Sequence, residues 1–424
     1  MTSVIRALSA REILDSRGRP TVEAELTLSD GTRVLASVPA GASTGRHEAV
    51  ELRDRDAPRY QGRGVLAAVA AVNGEIADAV AGREPEQHAI DDTLRRLDGT
   101  PDKSRLGANA ILAVSLAVAR AGAAVAGLPL WEHLAGGRAV TLPIPMVNIV
   151  SGGLHASRQL DFQDFLVIPV GANTYSLAVE MAVAVHTATG AILRKRGLTT
   201  LRADEGGYGP PLASHREVLR LLDEAVGDAG LRLGEDVVYA LDVAATHFFD
   251  ESDGRYRLRS EDLTFDSAEL AAYVAELAAD HAIVSVEDPF AEDDWTAWAQ
   301  FTAQLGDRLQ VVGDDLFATN AQRLERGIAE GSANAVLVKM NQIGTITETL
   351  DVVARAKAAG LRTVVSARSG ETEDSALADL AVGSAAGQIK IGSVTQSERL
   401  AKYNQLLRIE EHLGDTAAFA RWPT

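Results

Sequence analysis

From about residue 140 onward the chain repeats one cadence: a short apolar, β-branched run, a polar residue at its end, then a stretch of helical composition. Val237-Val238-Tyr239-Ala240-Leu241 ends at Asp242, Ala282-Ile283-Val284-Ser285-Val286 at Glu287, and Leu309-Gln310-Val311-Val312 leads to Asp314. Lys339, Ser366 and Lys390 close the next three runs, and successive tips lie 45, 27, 25, 27 and 24 residues apart. A strand plus a helix occupies about that length, and such units in series build a parallel sheet or a barrel. A barrel gathers the C-terminal ends of its strands at one mouth, so polar residues at successive tips converge there. The predicted class is α/β, with a TIM-like barrel from about residue 140 to 424.

The run Ala335 to Gly344 is the most informative unit. It reads as a buried strand interrupted by one lysine, with Val336, Val338 and Met340 on one face and Leu337, Lys339 and Asn341 on the other. An unpaired buried ammonium is costly, so Lys339 must meet carboxylates or lose its proton near neutral pH. Either outcome makes it usable as a base.

Residues 1 to about 130 differ in pattern and form a separate α+β capping domain in this reading. Val22 to Leu28 alternates like a half-buried strand, Ser29-Asp30-Gly31 turns, and Thr32 to Pro39 returns as the second arm of a hairpin. Gly41-Ala42-Ser43-Thr44-Gly45 joins glycines and hydroxyls in a loop suited to closing over a ligand or a hard metal. An Ala-rich helix is expected from Asn109 to Ala126, stopped by Gly127-Leu128-Pro129.

Composition narrows the function. A formal charge of -18 argues against a nucleic-acid partner, which normally demands a basic footprint. No run has the uncharged apolar length expected of a membrane helix, and Met1-Thr2-Ser3-Val4-Ile5-Arg6 does not begin like a signal peptide, so a cytoplasmic protein without a membrane partner is expected. With no cysteine, any metal must bind oxygen or imidazole.

Asp242, Glu287 and Asp314 sit on three consecutive units. Barrel closure brings them together, and like charges so close call for a cation, with oxygen-only ligands suiting Mg²⁺. Lys339 and Lys390 face them from later units. Arg368 and Ser369 add phosphate-binding groups, and Glu205 sits in the turn-rich Ala203-Asp204-Glu205-Gly206-Gly207-Tyr208. Metal, lysine base and carboxylic acid together suggest proton abstraction beside a carboxylate, with the metal stabilising an enediolate and the acid assisting departure of a hydroxyl.

Arg11-Glu12-Ile13-Leu14-Asp15-Ser16-Arg17-Gly18, Gly41-Ala42-Ser43-Thr44-Gly45, Asp204-Glu205-Gly206-Gly207-Tyr208, Ser285-Val286-Glu287-Asp288, Gly313-Asp314-Asp315-Leu316, Lys339-Met340-Asn341-Gln342-Ile343-Gly344 and Arg368-Ser369-Gly370-Glu371 together resemble the enolase family. So does the segment from Ala401 to Glu411, and the match runs from residue 6 to about residue 415. The resemblance implies an enolase-type barrel whose second strand is antiparallel, a homodimer or higher homo-oligomer, and reversible dehydration of 2-phosphoglycerate to phosphoenolpyruvate in glycolysis and gluconeogenesis. It implies Lys339 as the base at C2 and Glu205 as the acid at the C3 hydroxyl. Asp242, Glu287 and Asp314 would hold a structural Mg²⁺, and Ser43 would close on a second, catalytic one. Gln163, Asp164, Lys339, Arg368, Ser369 and Lys390 would contact substrate, with His155 on a mobile loop near the phosphate.

Three positions depart from the family's pattern. Ala367 stands where histidine is usual, Asp164 where glutamate is usual and Ser151 where asparagine is usual. The aspartate is one methylene shorter, enough to retract a carboxylate by about 1 Å. Two alternatives therefore stay beside ordinary enolase chemistry: an enolase-like paralogue in phosphonate biosynthesis, such as carboxyphosphonoenolpyruvate synthase, and a non-catalytic surface-binding protein.

Overall fold

The predicted cadence resolves into eight strands closed into a barrel, seen in a computed structural model that describes residues 3–42 and 44–422. An antiparallel sheet of β1 (Ile5–Leu14), β2 (Pro20–Leu28) and β3 (Arg33–Ser37) precedes it. The barrel strands are β4 (Ile144–Ser151), β5 (Asp164–Ile168) and β6 (Val238–Asp242), then β10 (Ile283–Glu287), β11 (Gln310–Gly313), β12 (Ala335–Val338), β13 (Arg362–Ser366) and β14 (Gly387–Gly392). Between β6 and β10 a small antiparallel sheet is made by β7 (Phe249–Asp250), β8 (Arg255–Leu258) and β9 (Leu263–Phe265). β5 runs antiparallel to both neighbours, and every other barrel pairing is parallel.

Side-chain alternation sorts the barrel into an inner and an outer layer. Ile144, Met146, Leu166, Ile168, Val238, Ala240, Val312, Ala335, Leu337 and Val364 fill its interior as one apolar cluster. Their neighbours in sequence, among them Val147, Val167, Leu241, Val311, Val336 and Val365, face outward into the layer shared with the helices. One pleat beyond the inner apolar residues, along the same strands, stand Asn148, Asp164, Asp242, Asp314, Lys339 and Ser366.

The hairpin forms as expected, with Gly31 in the left-handed conformation that its tight turn requires. The Ala-rich helix spans Ala108–Ala126, stops at a left-handed Gly127 and packs on β2 and β3. Two expectations change. The run from Ala335 is a strand only to Val338, because Met340–Ile343 forms a helical turn ending at left-handed Gly344. That turn lets buried Gln342 donate to Asp314 Oδ1 at 2.8 Å and accept from Thr319 Oγ1 at 2.6 Å, contacts that a continued strand would not make. In addition, Ala108–Ala126 and Tyr175–Lys195 are long and apolar enough to cross a membrane by composition, against the sequence reading. Ala108–Ala126 is largely enclosed by the fold and Tyr175–Lys195 about half so, which accounts for much of their apolar character without a bilayer.

Candidate active site

Every candidate residue from the sequence except one converges on the barrel mouth; Ser43 lies outside the described residues. His155, Gln163, Glu205, Asp242, Lys339, Ala367, Arg368, Ser369 and Lys390 all line one cavity. All of them are buried.

The acids and lysines touch. Lys390 Nζ donates to Asp242 Oδ2 at 2.7 Å and to Glu287 Oε1 and Oε2 at 2.8 Å. Lys339 Nζ pairs with Asp314 Oδ2, and its backbone N–H donates to Thr319 Oγ1 at 2.9 Å. Burial works against charge on both lysines. The adjacent carboxylates outweigh it, raising Lys339 above its ordinary value and Lys390 well above. Asp314 moves the other way: burial opposes its charge, but Lys339, together with Arg368 and Lys390, outweighs that and holds it low. Glu287 is pushed well up by burial and then by the charge of Asp242.

That pattern is a shortage of positive charge among hard oxygen donors. Asp288, Asp314 and Asp315 extend it, since one carboxylate oxygen from each lies within 4.8 Å of the others. Burial, followed by the charges of Asp315 and Asp314 for Asp288 and of Asp314 for Asp315, pushes both well above the ordinary carboxylate range. The donor set at this end of the barrel fits a divalent cation that prefers oxygen.

Across the mouth, Arg368 is gripped by a residue from outside the barrel. Its Nη1 donates to Glu48 Oε2 and to Asn341 Oδ1, both at 2.9 Å, and its Nη2 donates to Glu48 Oε1 at 3.1 Å. Ser369 Oγ accepts from Arg17 Nη1 at 3.1 Å and from the Ala42 N–H at 2.7 Å. The N-terminal segment therefore completes the site by holding the two groups suited to phosphate.

Glu205 occupies the third side. His155, on the short turn Gly153–Ala156, sets Nδ1 at 3.3 Å from Asp164 Oδ2 and Nε2 at 3.8 Å from Glu205 Oε1. Burial lowers the proton affinity of this imidazole, but Glu205 and Asp164 outweigh it and push it up to about 9. Glu205 is itself held low, since burial is outweighed by His155 together with Arg399, Lys390 and Lys339. Gln163 Nε2 donates to Asp242 Oδ2 at 3.1 Å.

Of the three departures, Ala367 is buried on the cavity wall, its N–H bonded to the Lys390 carbonyl at 2.9 Å. Asp164 and Ser151 are cross-strand partners and share a 2.9 Å hydrogen bond. Sequence reasoning missed the supporting set: Glu48, Arg17, Asn148, Asp288 and Asp315. Arg17, Asp288 and Asp315 lay within the motifs that carry the resemblance but received no role, and Asn148 had a signal of its own, being two residues beyond Met146. Glu48 meets Arg368 across 320 residues of sequence, and Arg17 meets Ser369 across 352.

Comparison with known proteins agrees with this geometry. Residues 5–134 match the family model described as "Enolase, N-terminal domain", and residues 139–422 match "Enolase, C-terminal TIM barrel domain". A protein of Mycobacteroides abscessus named enolase is 54% identical over 418 residues, covering 98% of this chain and 96% of the relative. One of Acidothermus cellulolyticus, also named enolase, is 55% identical over 419 residues, covering 99% and 96%. Among the readings that the three departures left open, these relatives support the enolase reaction, that of a phosphopyruvate hydratase and hence a hydro-lyase, and the chain belongs to the enolase family.

Proposed function

We propose that Lys339 takes the C2 proton of 2-phosphoglycerate and that Glu205 assists loss of the C3 hydroxyl, giving phosphoenolpyruvate. The observation that supports this reading is that an amine and a carboxyl face one small buried cavity whose wall also carries Arg368, Ser369 and Lys390. The three cationic and hydroxyl groups suit the phosphate and carboxylate of such a substrate, with Gln163 and His155 on the same cavity wall and Asp164, a proposed substrate contact, lying beside His155 rather than on that wall.

Lys339 holds its proton at Nζ while it is paired with Asp314, so it becomes a base only when that pairing loosens. Arg368 and Lys390 both lower its proton affinity and remain beside it afterwards. Glu205 needs the opposite change. An anionic substrate in the cavity raises its proton affinity, the direction required of a general acid.

Asp242, Glu287 and Asp314 are the proposed ligands of one Mg²⁺, and Ser43 a ligand of a second. Mg²⁺ bound there would supply positive charge against the substrate carboxylate as negative charge grows on it. Exclusion of water, orientation of substrate and both proton movements fall to the side chains named above.

We also propose two folding units, residues 1–130 and 140–424, a homodimer or larger homo-oligomer, and a cytoplasmic setting without nucleic-acid or membrane partners. Light scattering of the purified chain tests the assembly.

The roles separate by isotope exchange. Lys339→Ala should stop exchange of the C2 proton with solvent deuterium. Glu205→Gln should slow dehydration, followed by phosphoenolpyruvate absorbance, while leaving some C2 exchange. Equal loss of exchange in both variants would show that Glu205 is not the later acid.

A further inference from the structure

A break in register at the mouth end of β4 sets up an unassigned part of the site. Asn148 pairs with Leu166, yet Val150 pairs with Phe165 and Ser151 with Asp164, so one extra residue is accommodated between Asn148 and Val150. Ile149 and Val150 consequently both join the outer apolar layer. Regular alternation would have turned Ser151 outward; the bulge turns it inward beside Asn148.

The two side chains then meet the short carboxylate of Asp164. Asn148 Nδ2 donates to Ser151 Oγ at 2.8 Å and also contacts Asp164 Oδ1, while Ser151 Oγ donates to Asp164 Oδ1 at 2.9 Å. With Oδ1 committed to this pair, Oδ2 faces His155 Nδ1, whose ring reaches Glu205. The Glu205 loop rests on the same pair. A Cβ at Gly207 would lie 2.8 Å from Ser151 Oγ and 2.9 Å from Asn148 Oδ1, and the Ser151 N–H donates to the Tyr208 carbonyl at 2.9 Å.

We propose that Asn148 and Ser151 are positioning residues for the acid end of the site, with Ser151 and Asp164 working as one unit that aims a short carboxylate at His155 and so fixes Glu205. This rests on the reading of Glu205 as the acid. In this chain the two departures at 151 and 164 compensate each other: the shorter carboxylate is held by a hydroxyl that reaches it directly across the strand pair.

The test is a double-mutant cycle on the full-length, Mg²⁺-loaded protein. Ser151→Ala should lower kcat about tenfold, the scale of one hydrogen bond to a charged group, with KM within about twofold, since Arg368, Ser369 and Lys390 are untouched. Asp164→Asn should lower kcat further, and the double variant should match Asp164→Asn within about twofold, because a hydroxyl with no carboxylate to aim has nothing more to lose. Losses that multiply in the double variant, or an unchanged kcat in Ser151→Ala, overturn the proposal. A second measurement needs no turnover: the imidazole ¹⁵N resonances of His155, assigned by their loss in His155→Gln, should shift in Ser151→Ala. If Asp164→Asn does not fold, that spectrum decides, and an unmoved Nδ1 resonance overturns the positioning role. A wild-type protein that fails to convert 2-phosphoglycerate would instead sink the assignment of the acid, leaving the spectrum to judge the positioning.

Discussion

The floor and the mouth of the barrel are built from the same strands, one pleat apart, and they obey opposite rules. On the floor, Val238, Val312, Leu337 and Val364 belong to one buried apolar cluster, and the buried Gln310, Gln388 and Ser285 on the same inward rows satisfy one another by hydrogen bonds. At the mouth, Asp242, Asp314, Lys339 and Ser366 continue those inward rows with charge and hydroxyl. Burial is comparable in the two layers, so solvent access does not distinguish them. What differs is whether each buried group can be satisfied without a ligand. The floor is complete in itself, whereas the mouth leaves Asp288 and Asp315 crowded and Glu287 pushed well up. Stability and activity should therefore separate along each strand within about two residues.

The sharpest break in that comparison is Lys339→Ala. Removing the base should lower turnover of 2-phosphoglycerate by about 10⁴-fold or more while leaving a folded protein. Circular dichroism and C2 proton exchange measured together check both halves. An unfolded variant would place Lys339 with the floor rather than the mouth.

Next in size is the metal. Chelation should abolish turnover and added Mg²⁺ restore it, with Asp242→Ala, Glu287→Ala and Asp314→Ala each weakening Mg²⁺ binding in calorimetry. The three need not be equal. Asp314→Ala also strips Lys339 of its partner, so its activity should fall further than its affinity. Full turnover in excess chelator would contradict the oxygen-ligand reading altogether.

Leu337→Ala tests the floor. Leu337 is fully buried between the strands, and truncating such a side chain costs about 2 to 5 kcal/mol. Denaturant midpoints should report that loss, while kcat per folded molecule stays within about twofold. A large drop in kcat would mean that floor packing tunes the mouth directly.

The repeating cadence made the barrel legible because period and tip chemistry are local properties. Asp242, Glu287, Asp314 and Lys339 fall at or beside strand ends for that reason, and Lys390 two residues before the end of its strand. The sequence was less informative wherever one contact overrode the local pattern. Apolar and polar residues kept alternating past Val338 through Lys339, Met340 and Asn341, yet the chain turns there into a short helix in which Gln342 meets its buried partners. The strand Ile5–Leu14 went unnoticed because its apolar residues, Ile5, Ala7, Leu8, Ala10, Ile13 and Leu14, do not alternate, and most of its residues are exposed or half-buried. Glu48 could not be assigned because its partner Arg368 is 320 residues away. The bulge in β4 was equally hidden, since Ile149-Val150 reads as an ordinary apolar pair.

A titratable group behind the mouth gives the smallest effect and the finest test of the comparison. His186, on the helix Tyr175–Lys195, stacks on Tyr208 of the Glu205 loop with ring centroids 4.6 Å apart, and Arg202 Nη1 lies 3.4 Å from its Nε2. Burial, reinforced by Arg202, pushes the imidazole down to about 4. The folded protein therefore prefers neutral His186, while the unfolded chain binds a proton at the ordinary value near 6.5. Its contribution to stability is fully present above about pH 6.5 and is lost as pH falls through 6.5 toward 4. Between pH 7.5 and 5 the wild type should lose about 1 to 2 kcal/mol that His186→Phe, which keeps the stacking and cannot titrate, does not lose. Denaturant midpoints at the two pH values measure the difference. If the stability change is the same in both proteins, His186 does not titrate in this window. If instead the variant loses turnover at pH 7.5 with stability intact, the stack on Tyr208 serves the mouth, and the boundary between the two regions extends outward through the helix layer.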